Sequence, residues 1–444
     1  MSMRRLLRLF LPTSLKFRIH RILGALTAMR FGYPAKKLTV IAVTGTNGKS
    51  TVVSLIGQLL RAAGEPVGWI STATICIRDA ETLNATKLTT PSPSFLQATL
   101  KRMVAAGCRY AVLEASSEGL AQGRLNGIDP VIAVFTNLTP EHIESHGSFE
   151  AYARAKEVLF TKLAAAHRRG KLTLAVVNAD DEHASRFLTT AADQTIACTL
   201  GTPRVDVPAE TRVARAEHIV DGTDGAHLVL DGTEIRTPFV GRFNVMNMLE
   251  AITVVRELGI PLETIARISP ALAPVPGRME FLAMDLPFRV LVDYAPEPAS
   301  MAALYSVLPR FNANRIIHVF GSAGGGRDRA RRPVLGKFVT EHADIAIVTN
   351  EDPYDEDPKR IVGDILVGTE QASPHRARVE SILDRRDALT RALSIARAGD
   401  LVVVTGKACE QWIMGPKGQK LPWDDRRVLR ELAETRLSRP DNPQ

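Results

Sequence analysis

The chain has 444 residues, of which 45% are hydrophobic and 23% are charged. This length exceeds one ordinary core, and the composition excludes a disordered chain, so we expect a soluble protein of two or three domains. The four cysteines are scattered without paired spacing, which argues against a disulfide framework or a zinc site and favours reduced thiols.

The formal net charge of +8 is concentrated at one end of the chain. Residues 1–37 contain nine Lys or Arg and no acid, and the first acidic residue is Glu65, so the rest of the chain sums to about −1. Nucleic-acid binding requires a basic face on the folded body, and nucleic acid is therefore not expected as a partner.

The basic N-terminal arm, residues 1–37, is also rich in Leu, Ile and Phe. Its apolar runs are too short to span a bilayer, and the sequence lacks the long apolar region of a secretory signal. Two interpretations remain open. The arm forms a helix docked on the protein's own core, which is the commoner fate, or residues 1–30 form a basic amphipathic helix that lies on anionic lipid.

From residue 38 onward, short β-branched runs alternate with helical stretches, a pattern typical of a parallel sheet with crossover helices. Strands are predicted at 39–43, 110–114, 131–135, 172–177, 289–293, 315–320, 344–348 and 400–404. Residues 203–240, with the turn sequence Asp-Gly-Thr-Asp-Gly, predict antiparallel hairpins. We therefore predict an α/β protein with a central domain at 38–278, built on a parallel sheet plus a small antiparallel hairpin sheet, and a Rossmann-like C-terminal domain at 279–444. The Pro- and Gly-rich loop 273–278 marks the boundary.

The strongest motif is Val43-Thr-Gly-Thr-Asn-Gly-Lys-Ser50, between a predicted strand and a predicted helix. Glycines let backbone N–H groups surround phosphate oxygens, and a helix start favours negative charge. Lys49 would reach the terminal phosphates of a nucleotide and Ser50 would bind magnesium. Val43 replaces the first glycine of the common P-loop, but the flanking strand and helix favour a phosphate site over a functionless turn. The predicted ATP-binding residues of this motif are Gly45, Thr46, Asn47, Gly48, Lys49, Ser50 and Thr51.

Two groups near predicted strand ends are candidate metal ligands. Glu114 ends strand 110–114, where a carboxylate can face a nucleotide, although an acid there could also form a surface salt bridge. His142 follows the next strand and could bind a metal through a neutral ring nitrogen; spacing alone makes His146 equally plausible.

Further along the chain, Asn244 and Asn247 share one helix face and could alternatively cap that helix. Arg278 carries a guanidinium suited to phosphate. Arg327 lies in a glycine loop after strand 315–320, where it could bind the α-carboxylate of an amino acid.

In this order, the motifs from Thr44-Gly-Thr-Asn-Gly-Lys-Ser50 to Gly406-Lys-Ala-Cys-Glu410 resemble the Mur ligase family, and the MurE-type enzymes most closely, over residues 38 to about 430. The resemblance implies a cytoplasmic, ADP-forming acid–amino-acid ligase of peptidoglycan synthesis, and so of cell-wall biogenesis, cell shape and cell division. Such an enzyme joins an amino acid to a UDP-MurNAc-dipeptide-like carboxylate through an acyl-phosphate.

The same resemblance implies roles for individual residues. It implies that the protein binds ATP and two magnesium ions and that Lys156 is carbamylated, which makes it a carboxylate-like ligand. The alternative is that Lys156 is an exposed lysine without a function in the site. The implied metal ligands are Ser50, Glu114, His142 and Lys156. The implied catalytic residues are Lys49, His142, Lys156 and Arg278, and ATP is also contacted by Asn244, Asn247, Arg278 and Asp293. The acceptor is bound by Thr89, Thr90, Ser116, Gln122 and Arg124, and the amino acid by Arg327, Asp352, Tyr354 and Glu410.

The sequence also departs from the MurE-type pattern. Glu118 and Pro296 stand where histidines are usual, and Cys409 alters the usual Gly-Lys-Gly-His-Glu. Enzymes that select diaminopimelate resemble one another in Asp-Asn-Pro-Arg, whereas this chain has Glu-Asp-Pro-Tyr, ending at Tyr354. Loss of that arginine disfavours diaminopimelate, so lysine, ornithine or another amino acid is expected.

Only a short arm precedes the first predicted strand, where MurE-type enzymes have a domain that binds the uridine nucleotide. Three alternatives follow. The UDP end of the acceptor is bound weakly, or another chain or the membrane supplies the binding of that end, or the acceptor is lipid-linked. With a lipid-linked acceptor, we expect the protein at the inner face of the membrane. Closure about the loop 273–280 and a monomeric state are also expected.

Two other functions remain open at this point. One is a Mur-fold ligase with a cyanophycin-like or folate-polyglutamate-like acceptor. The other is a non-catalytic nucleotide-binding partner, suggested by Glu118, Pro296 and Cys409.

Overall fold

The computed structural model describes residues 13–141 and 143–437, with side chains at 22–141 and 143–435. The described residues form two compact units: the first contains those up to Thr139 and Phe149–Ala273, and the second contains those between Pro140 and Ser148 and those from Pro274 onward. The sequence placed the boundary at 278/279, five residues later than the division seen here. It did not anticipate that residues 140–148 belong to the second unit.

The first unit is built on a nine-stranded sheet in the order β4-β3-β2-β5-β1-β6-β7-β8-β9. Strands β2, β5, β1, β6, β7, β8 and β9 are mutually parallel. Strands β3 and β4 extend one edge of the sheet in antiparallel pairing. The strands are β1 (Thr39–Thr44), β2 (Val67–Ile70), β3 (Thr74–Ile77), β4 (Ala80–Leu83), β5 (Tyr110–Glu114), β6 (Ile132–Phe135), β7 (Leu174–Asn178), β8 (Gln194–Thr199) and β9 (Arg212–Arg215).

Helices cover both faces of this sheet, because a parallel sheet is apolar on both sides. In β1, Ile41 and Val43 join one buried cluster, whereas Val40 and Ala42 join the other, as expected from the alternation of side chains along a strand. The helices in chain order are α1 (Thr13–Arg30), α2 (Lys49–Ala62), α3 (Pro93–Ala105), α4 (Ser117–Ala121), α5 (Ile143–His146, in the second unit), α6 (Phe149–His167), α7 (Ser185–Leu188), α8 (Arg242–Glu257) and α9 (Leu262–Ile268).

The predicted hairpin region is only partly a hairpin sheet. Strands β10 (Glu217–Asp221), β11 (Ala226–Leu230) and β12 (Thr233–Thr237) form an antiparallel sheet of three, with the predicted turn between the first two. Assigning all of 203–240 to hairpins was wrong, because β9 pairs parallel with β8 at the edge of the large sheet. A short edge strand with exposed polar side chains gives no sequence signal of which strand it joins.

The second unit contains a six-stranded sheet in the order β13-β14-β18-β15-β16-β17, parallel except at β13. It confirms the predicted strands of the C-terminal α/β unit. Its strands are β13 (Glu280–Phe281), β14 (Arg289–Asp293), β15 (Ile316–Phe320), β16 (Ile345–Val348), β17 (Arg378–Ser381) and β18 (Leu401–Thr405), followed by the hairpin β19 (Trp412–Met414) and β20 (Lys420–Pro422). Its helices are α10 (Pro298–Tyr305), α11 (Arg331–His342), α12 (Pro358–Glu370), α13 (Arg385–Ile395) and α14 (Asp425–Leu437).

The described part of the N-terminal arm docks on the first unit through small residues. Helix α1 packs against α3, Ala28 is fully buried, and a Cβ at Gly24 would lie 2.7 Å from the carbonyl oxygen of Gly123. The opposite side leaves four apolar side chains 51–61% exposed: Ile22, Leu23, Leu26 and Met29. Residues 1–12 of the arm lie outside the described residues, and among those described no helix has the length and hydropathy of a membrane span.

One acidic side chain is buried in the core of the first unit without compensation. Glu250 lies on α8 with no exposed surface, and neither carboxyl oxygen has a hydrogen-bond partner. Burial, reinforced by the nearby Asp181, raises its pKa well above the ordinary value of 4.5. A buried carboxylate without a partner is costly, so the folded protein holds Glu250 in its protonated form.

This burial predicts a pH-dependent stability. Because the folded-state pKa is raised, the folded protein binds more protons, and its free energy of unfolding falls as pH rises above the unfolded-state pKa near 4.5. Replacing Glu250 with Gln should remove a slope that approaches about 1.4 kcal/mol per pH unit. Urea unfolding at several pH values, followed by Trp69 fluorescence in a W412F/W423F background, measures the first unit. Glu263→Gln, on the exposed surface of α9, is the control. Parallel pH profiles for the wild type and Glu250→Gln would contradict the assignment.

Candidate active site

The loop between β1 and α2 requires glycine at two positions. Gly45 and Gly48 have φ angles of 152° and 82°, a backbone conformation that residues other than glycine rarely adopt. A Cβ at Gly45 would lie 1.9 Å from Thr136 Oγ1, and one at Gly48 would lie 2.4 Å from Asn247 Oδ1. The loop is therefore in close contact with the end of β6 and with α8.

The end of β6 holds this loop in shape. The backbone N–H of Asn47 donates to Asn137 Oδ1 at 2.8 Å, and Thr136 Oγ1 donates to the Asn47 carbonyl at 2.5 Å. The Lys49 ammonium donates to the carbonyl of Thr46 at 2.6 Å, so it lies folded over the loop. Thr136 and Asn137 were not predicted, although both follow a buried strand and that position is a recognisable signal.

Glu114 and Ser50, predicted separately as metal ligands, lie in direct contact. Ser50 Oγ donates to Glu114 Oε2 at 2.8 Å, and both side chains are buried. Thr72 donates to the same carboxylate oxygen through its N–H at 2.6 Å and its hydroxyl at 3.0 Å. A hydroxyl and a carboxylate are ligand types that magnesium prefers, so the pair fits this ion. Thr72 was not predicted from the sequence.

Lys156 is buried against the same loop. Its ammonium donates to the Gly45 carbonyl at 2.5 Å and lies 4.3 Å from the centroid of the Tyr152 ring. The Tyr152 hydroxyl contacts Thr46 Oγ1 at 3.0 Å, so this tyrosine connects the lysine to the loop. The alternative that Lys156 is an exposed lysine is wrong, since the exposed fraction of this residue is 1%. Tyr152 was not predicted, although it precedes Lys156 by one helical turn.

His142, the predicted ligand of the second magnesium, lies outside the described residues. Its neighbours Glu141 and Ile143 are described, and Ile143 begins α5.

The five predicted acceptor residues cluster in the first unit beside Glu114. The Thr90 hydroxyl donates to the Glu114 carbonyl at 2.9 Å and accepts the N–H of Ser116 at 2.8 Å. Arg124 donates to the Thr90 carbonyl at 2.6 Å and to Gln122 Oε1 at 2.8 Å. Thr89 joins the group through Thr72, whose hydroxyl contacts Thr89 Oγ1 at 3.0 Å.

Glu118 places a negative charge within this cluster. It accepts a hydrogen bond from Gln122 at 2.8 Å and lies 3.6 Å from the guanidinium of Arg124. Burial lowers the pKa of Arg124 and Glu118 partly offsets that effect, so the arginine remains a cation. Where the family pattern has a histidine, this chain pairs an acid with the arginine.

The two asparagines of α8 are buried and hydrogen-bonded to each other. Asn247 Nδ2 donates to Asn244 Oδ1 at 3.2 Å, and Asn244 Nδ2 donates to the Val240 carbonyl at 2.8 Å. Asn244 thus contacts the backbone at the start of the helix, whereas Asn247 lies against Gly48 of the phosphate loop.

Arg278 and Asp293, both predicted to contact ATP, lie in the second unit. The Arg278 guanidinium lies 4.4 Å from the centroid of the Tyr294 ring. Asp293 accepts the backbone N–H of Met279 at 2.6 Å and that of Ala295 at 2.9 Å. Burial raises the pKa of Asp293, and Arg278 opposes that shift.

The predicted amino-acid-binding residues also lie in the second unit, where a lysine links two of them. The fully buried Lys407 ammonium donates to Asp352 Oδ1 at 2.8 Å and to Glu410 Oε2 at 2.5 Å. Two acids flanking one lysine keep that lysine protonated: its pKa is raised by Glu410 and Asp352 despite its burial. Lys407 was not predicted from the sequence.

The ring of Tyr354 packs against Gly325, in the glycine loop after β15. A Cβ at Gly325 would lie 2.5 Å from the Tyr354 ring, and Tyr354 itself has a φ of 53°. Burial raises the pKa of its phenol, so the hydroxyl is neutral at physiological pH. Arg327 lies within electrostatic range of Tyr354 and Glu410. The structure therefore brings all four predicted residues of this group together.

Known families match both units. The model of the Mur ligase middle domain matches residues 43–255, and that of the Mur ligase glutamate ligase domain matches residues 277–408. A UDP-N-acetylmuramoyl-L-alanyl-D-glutamate–2,6-diaminopimelate ligase of Synechococcus elongatus is 39% identical over 93% of this chain and 80% of its own length. A UDP-N-acetylmuramyl-tripeptide synthetase of Roseiflexus sp. is 37% identical over 92% of this chain and 82% of its own.

The chain is also similar to solved structures of Mur ligases and of a folylpolyglutamate synthase. A diaminopimelate ligase with the same name as the Synechococcus relative has a TM-score of 0.60 at 31% identity, covering 95% of this chain and 84% of its own. Folylpolyglutamate synthase of Mycobacterium tuberculosis has a TM-score of 0.67 at 19% identity, covering 96% of each chain, which shows a shared fold alone. With both family domains matched and relatives above one-third identity, this chain belongs to the Mur ligase family of ATP-dependent amide ligases.

Proposed function

We propose that this ligase joins an amino acid other than diaminopimelate to the D-glutamyl carboxylate of a UDP-MurNAc-dipeptide or its lipid-linked counterpart. The observation that carries the proposal is the contact between Thr90 and Glu114. It joins the group predicted to hold the acceptor to the backbone of the residue whose carboxylate is predicted to hold magnesium, and Thr72 connects Thr89 to that carboxylate itself. The acceptor and the phosphate of ATP would therefore be bound by one connected set of residues.

The chemistry follows from the groups of this chain. An oxygen of the acceptor carboxylate attacks the γ-phosphorus of ATP, the bond to ADP breaks, and an acyl-phosphate forms. The amine of the amino acid then attacks the acyl carbon, the C–N bond forms, phosphate leaves with one carboxylate oxygen, and the amine loses a proton. Lys49 would stabilise the charge on the phosphates, as would Arg278 of the second unit.

Magnesium would be held by Ser50 and Glu114, with Lys156 and His142 as ligands of a second ion, and would neutralise charge on the transferring phosphate. An amine is a poor magnesium ligand, and a carbamate is a good one. The neutral amine of Lys156 would attack carbon dioxide, forming an N–C bond and releasing one proton. The carbamate would lie against Gly45 and Tyr152, where the ammonium lies now.

The choice of amino acid rests on Tyr354. Its phenol contributes no positive charge for the distal carboxylate of diaminopimelate, which a guanidinium at this position would bind. Lys407 already lies between Asp352 and Glu410, and a side chain with a second carboxylate would meet two acids. The pocket therefore favours an amino acid without a distal carboxylate, such as lysine or ornithine.

Replacing Lys49 with Ala should strongly impair ligase activity. Phosphate release would be measured with ATP, magnesium and UDP-MurNAc-L-Ala-D-Glu across a panel of amino acids. Loss of a charge that stabilises the transition state should lower the rate at least about 100-fold. Lys101→Ala, an exposed lysine on α3, should keep the wild-type rate. Wild-type protein that releases no phosphate with any amino acid would reject this acceptor, and release by Lys49→Ala at the wild-type rate would reject the site.

Replacing Lys156 with Ala should remove a carbamate signal. Wild-type protein in ¹³C-bicarbonate should show a carbamate carbonyl resonance that is absent from Lys156→Ala and present in Lys162→Ala, a half-buried lysine on the same helix. Turnover of Lys156→Ala should fall at least about 100-fold, since a metal ligand is lost. Full turnover of Lys156→Ala, or its retention of the resonance, would reject the carbamate.

We further propose that the N-terminal arm contacts the inner face of an anionic membrane. The supporting observation is the outward row of Ile22, Leu23, Leu26 and Met29, whose opposite side docks on the first unit. Apolar side chains beside a segment with nine cations and no acid suit an interface of negatively charged lipids.

Vesicle sedimentation tests this contact. The wild type should bind vesicles containing phosphatidylglycerol more strongly than neutral vesicles, and added salt should weaken the binding. The double variant Leu26→Gln, Met29→Gln should bind at least about 5-fold more weakly, because it loses two apolar side chains from the row. Leu172→Gln, an exposed leucine elsewhere, is the control. Equal binding of the wild type, the double variant and a chain lacking residues 1–30 would reject the proposal.

A further inference from the structure

Residues 122–128 form a loop that carries two of the side chains proposed to bind the acceptor, those of Gln122 and Arg124. This segment, here called the acceptor loop, follows α4 and forms neither a helix nor a strand. Its backbone makes tight turns, in one of which the N–H of Asn126 donates to the carbonyl of Gly123 at 3.0 Å. Because such a loop has no regular hydrogen-bonded structure of its own, its position depends on the elements packed against it.

Helix α1 lies directly against the backbone of the acceptor loop. A Cβ at Gly24, which is buried, would lie 2.7 Å from the carbonyl oxygen of Gly123. One helical turn later, Ala28 is fully buried, and a Cβ at Gly127 would lie 2.2 Å from the Cβ of Ala28. The helix and the loop therefore touch at two points, and neither point has room for a larger side chain.

The other supports of the loop are long hydrogen bonds and buried apolar groups. Gln97, on α3, donates to the carbonyl of Asn126 at 3.5 Å, and Lys162, on α6, donates to the carbonyl of Leu125 at 3.3 Å. Both distances exceed those of ordinary N–H···O bonds, so these contacts are weak. The side chains of Leu125 and Ile128 are fully buried in the core. Close packing by α1 therefore adds a constraint that the polar contacts do not supply.

The position of the acceptor loop sets the position of the Arg124 guanidinium. This group donates to the Thr90 carbonyl at 2.6 Å and to Gln122 Oε1 at 2.8 Å. Thr90 is held separately, through its hydrogen bond to the carbonyl of Glu114. A shift of the loop by about 1 Å would lengthen the bonds between the loop and Thr90, and shifts of that size are enough to weaken substrate positioning.

We propose that Gly24 and Ala28 are positioning residues, through which α1 holds the acceptor loop so that Gln122 and Arg124 meet the acceptor. The proposal rests on the proposed function, in which these two side chains bind the acceptor. Helix α1 acts through the loop and does not itself touch the substrate. Its loss from the loop should weaken binding of the acceptor and leave binding of ATP unchanged, because the phosphate loop has its own contacts with β6 and α8.

Three full-length variants separate this effect from a general loss of stability. Gly24→Val places a branched side chain against the Gly123 carbonyl, where even one added carbon lies too close. Gly24→Ala adds that one carbon and should give a smaller effect, and it remains informative if the valine variant folds poorly. Ala25→Val is the matched control, because it places the same valine side chain at the next position of α1, which is exposed.

The first readout is hydrogen–deuterium exchange of peptides covering 118–128 in the substrate-free protein. Exchange should be at least about 5-fold faster in Gly24→Val, intermediate in Gly24→Ala and unchanged in Ala25→Val. Peptides covering 43–51, in the phosphate loop, should exchange at the wild-type rate in all three variants. Unchanged exchange of 118–128 in both Gly24 variants would overturn the proposal.

The second readout is the KM for each substrate in the phosphate-release assay. With UDP-MurNAc-L-Ala-D-Glu, KM should rise at least about 5-fold in Gly24→Val and stay at the wild-type value in Ala25→Val, whereas the KM for ATP should be unchanged in both. An unchanged KM for the acceptor, or an equal rise for ATP, would show a purely structural contact and overturn the proposal. If the wild type releases no phosphate, the proposed function fails, and the exchange result alone supports or overturns the hold of α1 on the loop.

Discussion

The hydrogen bonds that converge on the carboxylate of Glu114 fix the arrangement on which the rest of the site depends. Ser50, at the start of α2, and Thr72, after β2, both donate to one oxygen of this group. Adjacent parallel strands end at the same edge of the sheet, so the pairing of β1, β2 and β5 delivers all three residues to one point. A buried carboxylate requires such partners, and a divalent cation is the natural further one.

The sequence predicted the parts of the molecule that depend on local pattern. Buried β-branched runs predicted eight strands to within one or two residues, and the glycines of the phosphate loop predicted a turn that only glycine can form. Contacts that depend on tertiary proximity were not predictable. Lys407 contacts Asp352 because the loops after β18 and β16 meet, although β15 lies between these two strands, and spacing does not encode that contact. The parallel pairing of β9 was missed for the same reason.

The two halves of the chemistry differ in how strongly the backbone constrains them. The phosphate loop depends on backbone N–H groups, on positive φ angles and on buried contacts, so few substitutions are tolerated there. The groups proposed to bind the organic substrates are side chains, which can change without disturbing the fold. The departures from the family pattern at Glu118 and Tyr354 both lie in this second class, one beside Arg124 and the other against Gly325. The departures from the family pattern therefore lie among the residues proposed to bind the organic substrates, and the loop proposed to bind ATP keeps its buried contacts.

In a reaction that proceeds through an acyl-phosphate, one oxygen of the acceptor carboxylate is transferred to the released phosphate. Isotope transfer measures this directly, because the C–O bond that breaks leaves its oxygen on the phosphate. With an acceptor whose reacting carboxylate carries ¹⁸O at both oxygens, each phosphate released should contain one ¹⁸O and the amide product should keep the other. Unlabelled phosphate, or label recovered in AMP, would contradict the account.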